Sequence, residues 1–347
     1  YKPGATDRPF DIGAVAPDGT DERVLATGPN RDIGIGGELS WVGETGLLMT
    51  NERISIHEYM TFDSAKAPFD RSASNGSDAA FTQSLVIPGG MGGDGVSVSR
   101  DGKTGMWMIR TSHNPASWVV TIRTADVATL NGQSAIDFGN VVWTHSGATD
   151  GPNIPRGFSL APDAGFFAIS TSMKTDDGTR SGEGYDLFVR DSSAGEEIRR
   201  LTTTGSSAGV HNLYPDVSPD GRWVAFSSKV DAEARPDLYI VRVDGTGLRQ
   251  ITNTPDASED RPSWSPNGAE IAYQGIVHTD AAPNWDIYAI AVFASAPTAV
   301  AAPRRLTTDP GAQLDPAWDP RGGAIAFTTY KPGATDRPND IGAVAPD

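Results

Sequence analysis

The sequence predicts an all-β protein, a six-bladed β-propeller of four-stranded antiparallel blades whose ring is closed by an N-terminal strand. Three observations lead there. A unit of about 50 residues recurs along the chain, one turn tetrapeptide punctuates its copies, and no amphipathic helical pattern is long enough for a separate α/β domain. The 39 glycines and 25 prolines among 347 residues supply the turns that many short strands require.

The unit is clearest in the second half. Residues 213–253 read LYPDVSPDGRWVAFSSKVDAEARPDLYIVRVDGTGLRQITN. Residues 260–292 repeat the grammar as DRPSWSPNGAEIAYQGIVHTDAAPNWDIYAIAV, followed by PRRLTT at 303–308. Residues 315–345 and 156–203 are further copies. In each, a first strand runs into Ser-Pro-Asp-Gly or a relative, where Pro presets φ and Asp-Gly supplies the positive φ of a tight turn. An apolar second strand such as Trp223–Phe226 follows, then a variable loop and an alternating third strand beginning at Asp237. Asp244-Gly245 turns the chain into a fourth strand at 248–252. Such a unit cannot bury both faces alone, so the copies must stack. Degenerate copies begin near residues 38 and 95, which sets blades at about 32–88, 91–146, 152–204, 210–254, 259–308 and 313–347 plus 19–27. Asp186, Asp237, Asp286, Asp11 and Asp340 recur at the start of third strands, which points to a structural hydrogen bond.

The motifs Ser-Pro-Asp-Gly at 218–221, Asp-Leu-Tyr at 237–239, Asp-Ile-Tyr at 286–288 and Arg-Arg-Leu-Thr at 304–307 resemble the TolB-like propeller repeat. The resemblance is strong over 156–347 and weaker over 32–155. It covers the propeller and not the N-terminal α/β domain of TolB itself. It implies the fold and leaves function to be argued from the site.

Residues 1–18 recur as residues 330–347 with one difference, Phe10 against Asn339. One copy is expected to furnish the third strand of the last blade, with residues 19–27 completing it, a closure that removes free sheet edges. The other copy is surplus, and self-association through 1–18 or 330–347 is one use for it.

Propeller ligands commonly bind where the loops before the innermost strands converge on one channel mouth. The residues expected there are Glu38, Asp94, Arg156, His211, Tyr214, Asp260, Arg261 and Asp315. The carboxylates could ring a hard cation such as calcium or cap turns at the rim. Five histidines, His57, His113, His145, His211 and His278, form no metal-ligand pair, and His211 is the best placed for a site. The acidic, glycine-rich stretch 176–186 lacks calcium-loop spacing and reads as an ordinary loop.

Several classes are excluded. Without cysteine there is no disulfide framework, thiolate metal site or cysteine nucleophile. A net charge of −16 opposes nucleic-acid binding. No apolar run is long enough to span a membrane. A P-loop is missing, and no dinucleotide fingerprint follows a strand and opens a helix. The reading is therefore an exported, periplasmic or extracellular propeller that binds a protein, a small molecule or a glycan at its channel mouth. Two alternatives stand beside it. One is a metal-assisted polysaccharide lyase or hydrolase, by analogy with the oligogalacturonate lyases, which place a histidine-lined metal site on a related propeller. The other is a structural subunit joined through the duplicated ends.

Overall fold

The structure, a computed structural model, describes residues 10–20, 23–27, 39–42, 46–53, 56–63, 81–87, 92–110, 119–130, 133–134, 137–146, 155–172, 184–206, 210–231, 233–292, 302–308 and 310–330. These residues are almost entirely strand and turn, with two short 3-10 turns at Val127–Thr129 and Thr204–Ser206. They form six sheets of a β-propeller.

The first sheet comprises Leu39–Val42, Gly46–Arg53, Ile56–Asp63 and Phe81–Ile87, and the second Gly92–Val98, Thr104–Arg110, Val119–Asp126 and Asn140–Ser146. The third is Phe158–Leu160, Phe166–Thr171, Asp186–Asp191 and Glu197–Arg200. The fourth is His211–Val217, Trp223–Lys229, Asp237–Arg242 and Arg249–Gln250. The fifth is Ala257–Trp264, Glu270–Val277, Asp286–Ala291 and Arg304–Arg305. Within these sheets neighbouring strands are antiparallel. A four-strand reading of every unit misses one addition: Gln133–Ser134, from the segment after the second sheet's third strand, pairs in parallel with Phe81–Ile87 and makes the first sheet five-stranded.

The sixth sheet joins the two ends of the chain. Phe10–Val15 lies between Ile325–Tyr330 and Arg23–Thr27, with Phe10 opposite Tyr330 and Val15 opposite Ile325. The innermost strands contact one another in chain order, and Gln313–Trp318 of the sixth sheet contacts Leu39–Val42 of the first. The second copy of the duplicated segment, 331–347, lies outside the described residues.

The turn chemistry follows the residues. Gly102, Gly221, Gly268 and Gly322 all take positive φ at the end of the tetrapeptide turn. In the turn at 218–221 the Ser218 hydroxyl donates to Asp220 and accepts from the Trp223 amide. Ser99 and Ser265 repeat the arrangement with the amides of Thr104 and Glu270. Residues 161–164 form the same turn with Ala164 forced to φ 58°.

The core lies between sheets rather than within one. Met106, Met108, Phe158, Phe167 and Phe188 fill the gap from second to third sheet. Leu187, Val189, Val224 and Phe226 fill the next, and Ile240, Trp264, Ile271 and Tyr273 the one after. Val15 is fully buried against Ala272, Ile287 and Phe327. Each buried aromatic or aliphatic side chain contributes roughly 2 kcal/mol, so stacking, not any single sheet, holds the fold. The approach is close: a Cβ at Gly195 would lie 1.7 Å from the Val142 carbonyl oxygen of the neighbouring sheet.

Candidate functional site

Four of the loops expected at the channel mouth, those with Asp94, His211, Asp260 and Asp315, turn out to be strand, while Arg156 stands just before Phe158–Leu160. His211, Asp260 and Asp315 sit within the innermost strands, because pairing continues upstream through a β-bulge. The register shifts between Leu213 and Asp216, between Asp260 and Ser263, and between Leu314 and Ala317. Pro215, Pro262 and Pro316 fall inside those bulges, where a missing N–H costs no ladder bond.

Each bulge opens on a left-handed residue. Tyr214, Arg261 and Asp315 have φ of 52°, 51° and 54°, and Gly157 takes the equivalent place in the third sheet with φ 80°. Left-handed backbone in bulky residues is costly and needs surrounding structure to enforce it. Three unlike side chains are thus carried on one strained backbone position and brought together. Arg261 Nη1 lies 2.9 Å from Asp315 Oδ1, and the guanidinium stands 4.0 Å from the Tyr214 ring centroid. All three line a cavity of about 100 Å³ on the channel, with Pro215, Asp216 and Ser159. Burial pushes the Asp315 carboxyl up, and the Arg261 charge opposes it. The Tyr214 phenol is likewise pushed up by burial.

Three other expected residues flank this cavity without lining it. Asp260 is turned toward the fourth sheet, accepting from Ser227 Oγ at 2.5 Å and from the Arg261 amide at 2.9 Å, and burial raises its pKa. Arg156 offers its carbonyl to the Tyr214 amide and its side chain to Tyr185. His211 packs edge-on to Tyr185 at 5.5 Å, and its Nδ1 has no hydrogen-bond partner among the described residues. Burial, then Lys229 and Arg156, push its pKa down, so the ring is neutral at pH 7. Asp94 lies on the second sheet's innermost strand, with its side chain outside the described part, and Glu38 lies outside the described residues altogether. So do His113 and residues 176–183, and the His57 side chain.

Of the carboxylates that could ring a cation or cap turns, Glu38 and the Asp94 side chain lie outside the described part. Among the described residues no three acidic or histidine side chains are grouped to hold a metal ion. Asp260 is spent on Ser227 and a backbone amide, and Asp315 on Arg261. Of the other histidines, His145 is buried and stacked on Trp143, and His278 Nε2 meets Ser258 Oγ at 2.9 Å.

A second ring was not anticipated from the sequence. Two residues beyond each left-handed position, Ser97, Ser159, Asp216 and Ser263 face the channel, and Ser40 takes the same place in the first sheet. Each side chain accepts from a backbone amide of the next sheet: Ser40 from Val98, Ser97 from Leu160, Ser159 from Val217, Asp216 from Trp264 and Ser263 from Trp318, at 2.7–3.0 Å. Ala317 holds the sixth place without an acceptor. The signal was available as a small polar residue two before the turn serine, as in Val96-Ser97-Val98-Ser99 and Pro262-Ser263-Trp264-Ser265. Asp216 also accepts from Ser159 Oγ, and burial pushes its carboxyl up to about 6.

Stacked antiparallel sheets around a channel, with their core between them, define the class: a β-propeller. Within that class the chain has the TolB-like fold. It superposes on a structure assigned to TolB from Agrobacterium tumefaciens with a TM-score of 0.59 and 17% identity, covering 94% of this chain and 99% of that one. An oligogalacturonate lyase in complex with manganese gives a TM-score of 0.51 at 11% identity, over 90% and 80% of the two chains. At these identities the likeness is one of fold. A search of family models finds no match. An uncharacterized protein of Agrobacterium fabrum (strain C58) is 32% identical over 89 residues, which is 26% of this chain and 28% of that protein's length.

Proposed function

We propose that the chain is an exported binding module whose ligand, a protein segment, small molecule or glycan, docks at the channel mouth. One observation carries this reading: the Tyr214, Arg261 and Asp315 side chains converge on the channel from equivalent left-handed positions. Strain of that kind persists where the fold has a use for the side chain's direction. Among the described residues no helix is long and apolar enough to cross a membrane. Calorimetric titration with panels of peptides and acidic or neutral oligosaccharides tests the reading. Binding that is lost in Arg261→Met and Tyr214→Ala supports it, and binding indifferent to both, and to His211→Ala and Asp260→Ala, refutes it.

The six sheets are, in this proposal, six blades of a ring closed by Phe10–Val15 and Arg23–Thr27 against Ile325–Tyr330. Deleting residues 1–27 should then abolish cooperative unfolding, while deleting 331–347 should leave it intact. Equal tolerance of both deletions would sink the closure. A surplus copy that joins chains would show as an oligomer that either deletion dissolves.

The neutral, unpartnered His211 Nδ1 favours a second reading, a polysaccharide lyase that uses this ring as a base. Release of unsaturated product from acidic polysaccharides with added divalent metal, lost in His211→Ala, would establish it.

A further inference from the structure

Three sheet junctions share one set of contacts. At the start of each third strand stands an aspartate, Asp186, Asp237 or Asp286. The threonine of the following Leu-Thr or Ile-Thr pair, Thr202, Thr252 or Thr307, donates to that aspartate and accepts from the amide of the residue after it. The next sheet's innermost strand then reaches back. Asn212, Glu259 and Gln313 each donate a backbone amide to the carbonyl preceding the aspartate, at 2.8–3.1 Å.

Two junctions set an arginine and a neutral amide side chain beside the aspartate. Arg200 pairs with Asp186 at 2.5 Å, and the Asn212 side-chain Nδ2 also donates to it. Arg305 pairs with Asp286 at 2.6 Å, and Gln313 Oε1 accepts from Thr307. The junction between the fourth and fifth sheets exchanges both partners. Gln250 stands where the arginines stand and donates to Asp237 Oδ2 at 3.0 Å. Glu259 stands where the amides stand, only 3% exposed, and the Thr252 hydroxyl lies 3.2 Å from its Oε2 and 3.3 Å from Asp237 Oδ1, which brings the two carboxyls together. The arginine is gone and a second carboxyl has arrived.

We propose that this junction is a proton-operated latch, in which protonated Glu259 supplies to Asp237 the donor that the Asn212 side chain supplies to Asp186, and loses its grip when it ionises. Glu259 is buried and Asp237 half-buried, so without the arginine the two adjacent carboxylates cannot both ionise cheaply, and the buried one keeps its proton. Burial, reinforced by Asp237, pushes Glu259 up to about 8, while the Thr254 and Thr252 hydrogen bonds pull the other way. The other titratable groups interacting with it are the Tyr273 and Tyr288 phenols on the second and third strands of its own sheet, both pushed up and therefore neutral across this range.

The sign follows. A carboxyl whose folded pKa is raised stabilises the fold fully below its unfolded pKa and loses that contribution as pH rises through the folded value. Ionisation of Glu259 thus loosens the fourth and fifth sheets between mildly acidic and mildly alkaline pH.

Carbon-13 carboxyl NMR of the intact, glutamate-labelled chain tests the latch directly. One glutamate resonance should titrate near 8, vanish in Glu259→Gln, and move down toward the usual carboxylate range in Gln250→Arg, which restores the missing cation. The melting temperature of Glu259→Gln relative to the unmodified chain should rise steadily from about pH 5 to about pH 9. A Glu259 resonance titrating in the ordinary carboxylate range, or identical pH profiles of melting for the two chains, overturns the proposal. Should the glutamine variant not fold, the titrations of the unmodified chain and of Gln250→Arg decide.

Discussion

The mouth and the waist of the channel are made by the same innermost strands, two residues apart, yet they are built on opposite plans. At the waist the positions are nearly uniform, Ser40, Ser97, Ser159 and Ser263 with Asp216, and each ties its sheet to the next through one amide. At the mouth the equivalent positions carry Tyr214, Arg261 and Asp315, which differ in size, charge and polarity and bond chiefly to one another. Uniformity marks the residues that close the architecture, and variety on a common strained backbone marks those whose side chains were chosen one by one. Function is therefore sought at the mouth and stability at the waist.

The largest expected effect lies at the mouth. Arg261→Met leaves the buried Asp315 carboxylate without its counter-charge and removes the cation from the Tyr214 face. Removing one partner of a buried pair costs about 3 kcal/mol, to be read from urea unfolding. Asp315→Asn in the same chain should recover most of the loss. A mouth that tolerates Arg261→Met alone would mean the pair is solvated, and the contrast with the waist would collapse.

Asp216 tests the waist, where it is the one ionisable member. Asp216→Ala strands the Trp264 amide and the Ser159 hydroxyl and should cost about 2 kcal/mol. Asp216→Ser, which makes the position like its neighbours, should separate the structural role from the charge. The aspartate's carboxyl is pushed up to about 6 by burial, so its contribution is whole below the unfolded pKa near 4 and fades as pH rises through 6. The serine chain should match the original at about pH 4 and exceed it by about 2 kcal/mol at pH 8 in chemical unfolding. A parallel pH dependence in the two chains would show that Asp216 ionises freely in the channel.

The repeat was legible because turn chemistry is local. Ser-Pro-Asp-Gly declares its positive φ in four letters, and the aspartates at 186, 237 and 286 declare their role by recurring at one place in the unit. The mouth was legible as a neighbourhood and not as an arrangement. Arg156, His211 and Asp260 were expected beside Tyr214, Arg261 and Asp315, but which side chain faces the cavity depends on a bulge, and a bulge reverses the alternation that a sequence pattern assumes. The serine ring escaped because its partners lie in the next sheet, about 50 residues away, and the Glu259 junction because its exchanged residues stand out only when one unit is aligned upon another.

Two smaller changes sharpen the contrast by completing what the repeat leaves unfinished. Ala317 is the waist position with no acceptor, next to the first sheet, so Ala317→Ser supplies one to the amide of Trp41 and should add up to about 1 kcal/mol to the unfolding free energy. No gain would mean that the sixth and first sheets do not meet as the others do. The smallest effect is at Ala164, which occupies with φ 58° the turn position where four other units have glycine. The left-handed conformation costs a side-chain-bearing residue about 1 kcal/mol, and glycine returns roughly half of that as unfolded-state entropy. Ala164 also packs partly on the core between the second and third sheets, a contact that glycine would forgo. Ala164→Gly should therefore stabilise by about 0.5 kcal/mol or less, a shift of one or two degrees in melting temperature. A loss instead would show that the Ala164 methyl group contributes more through that contact than its backbone costs.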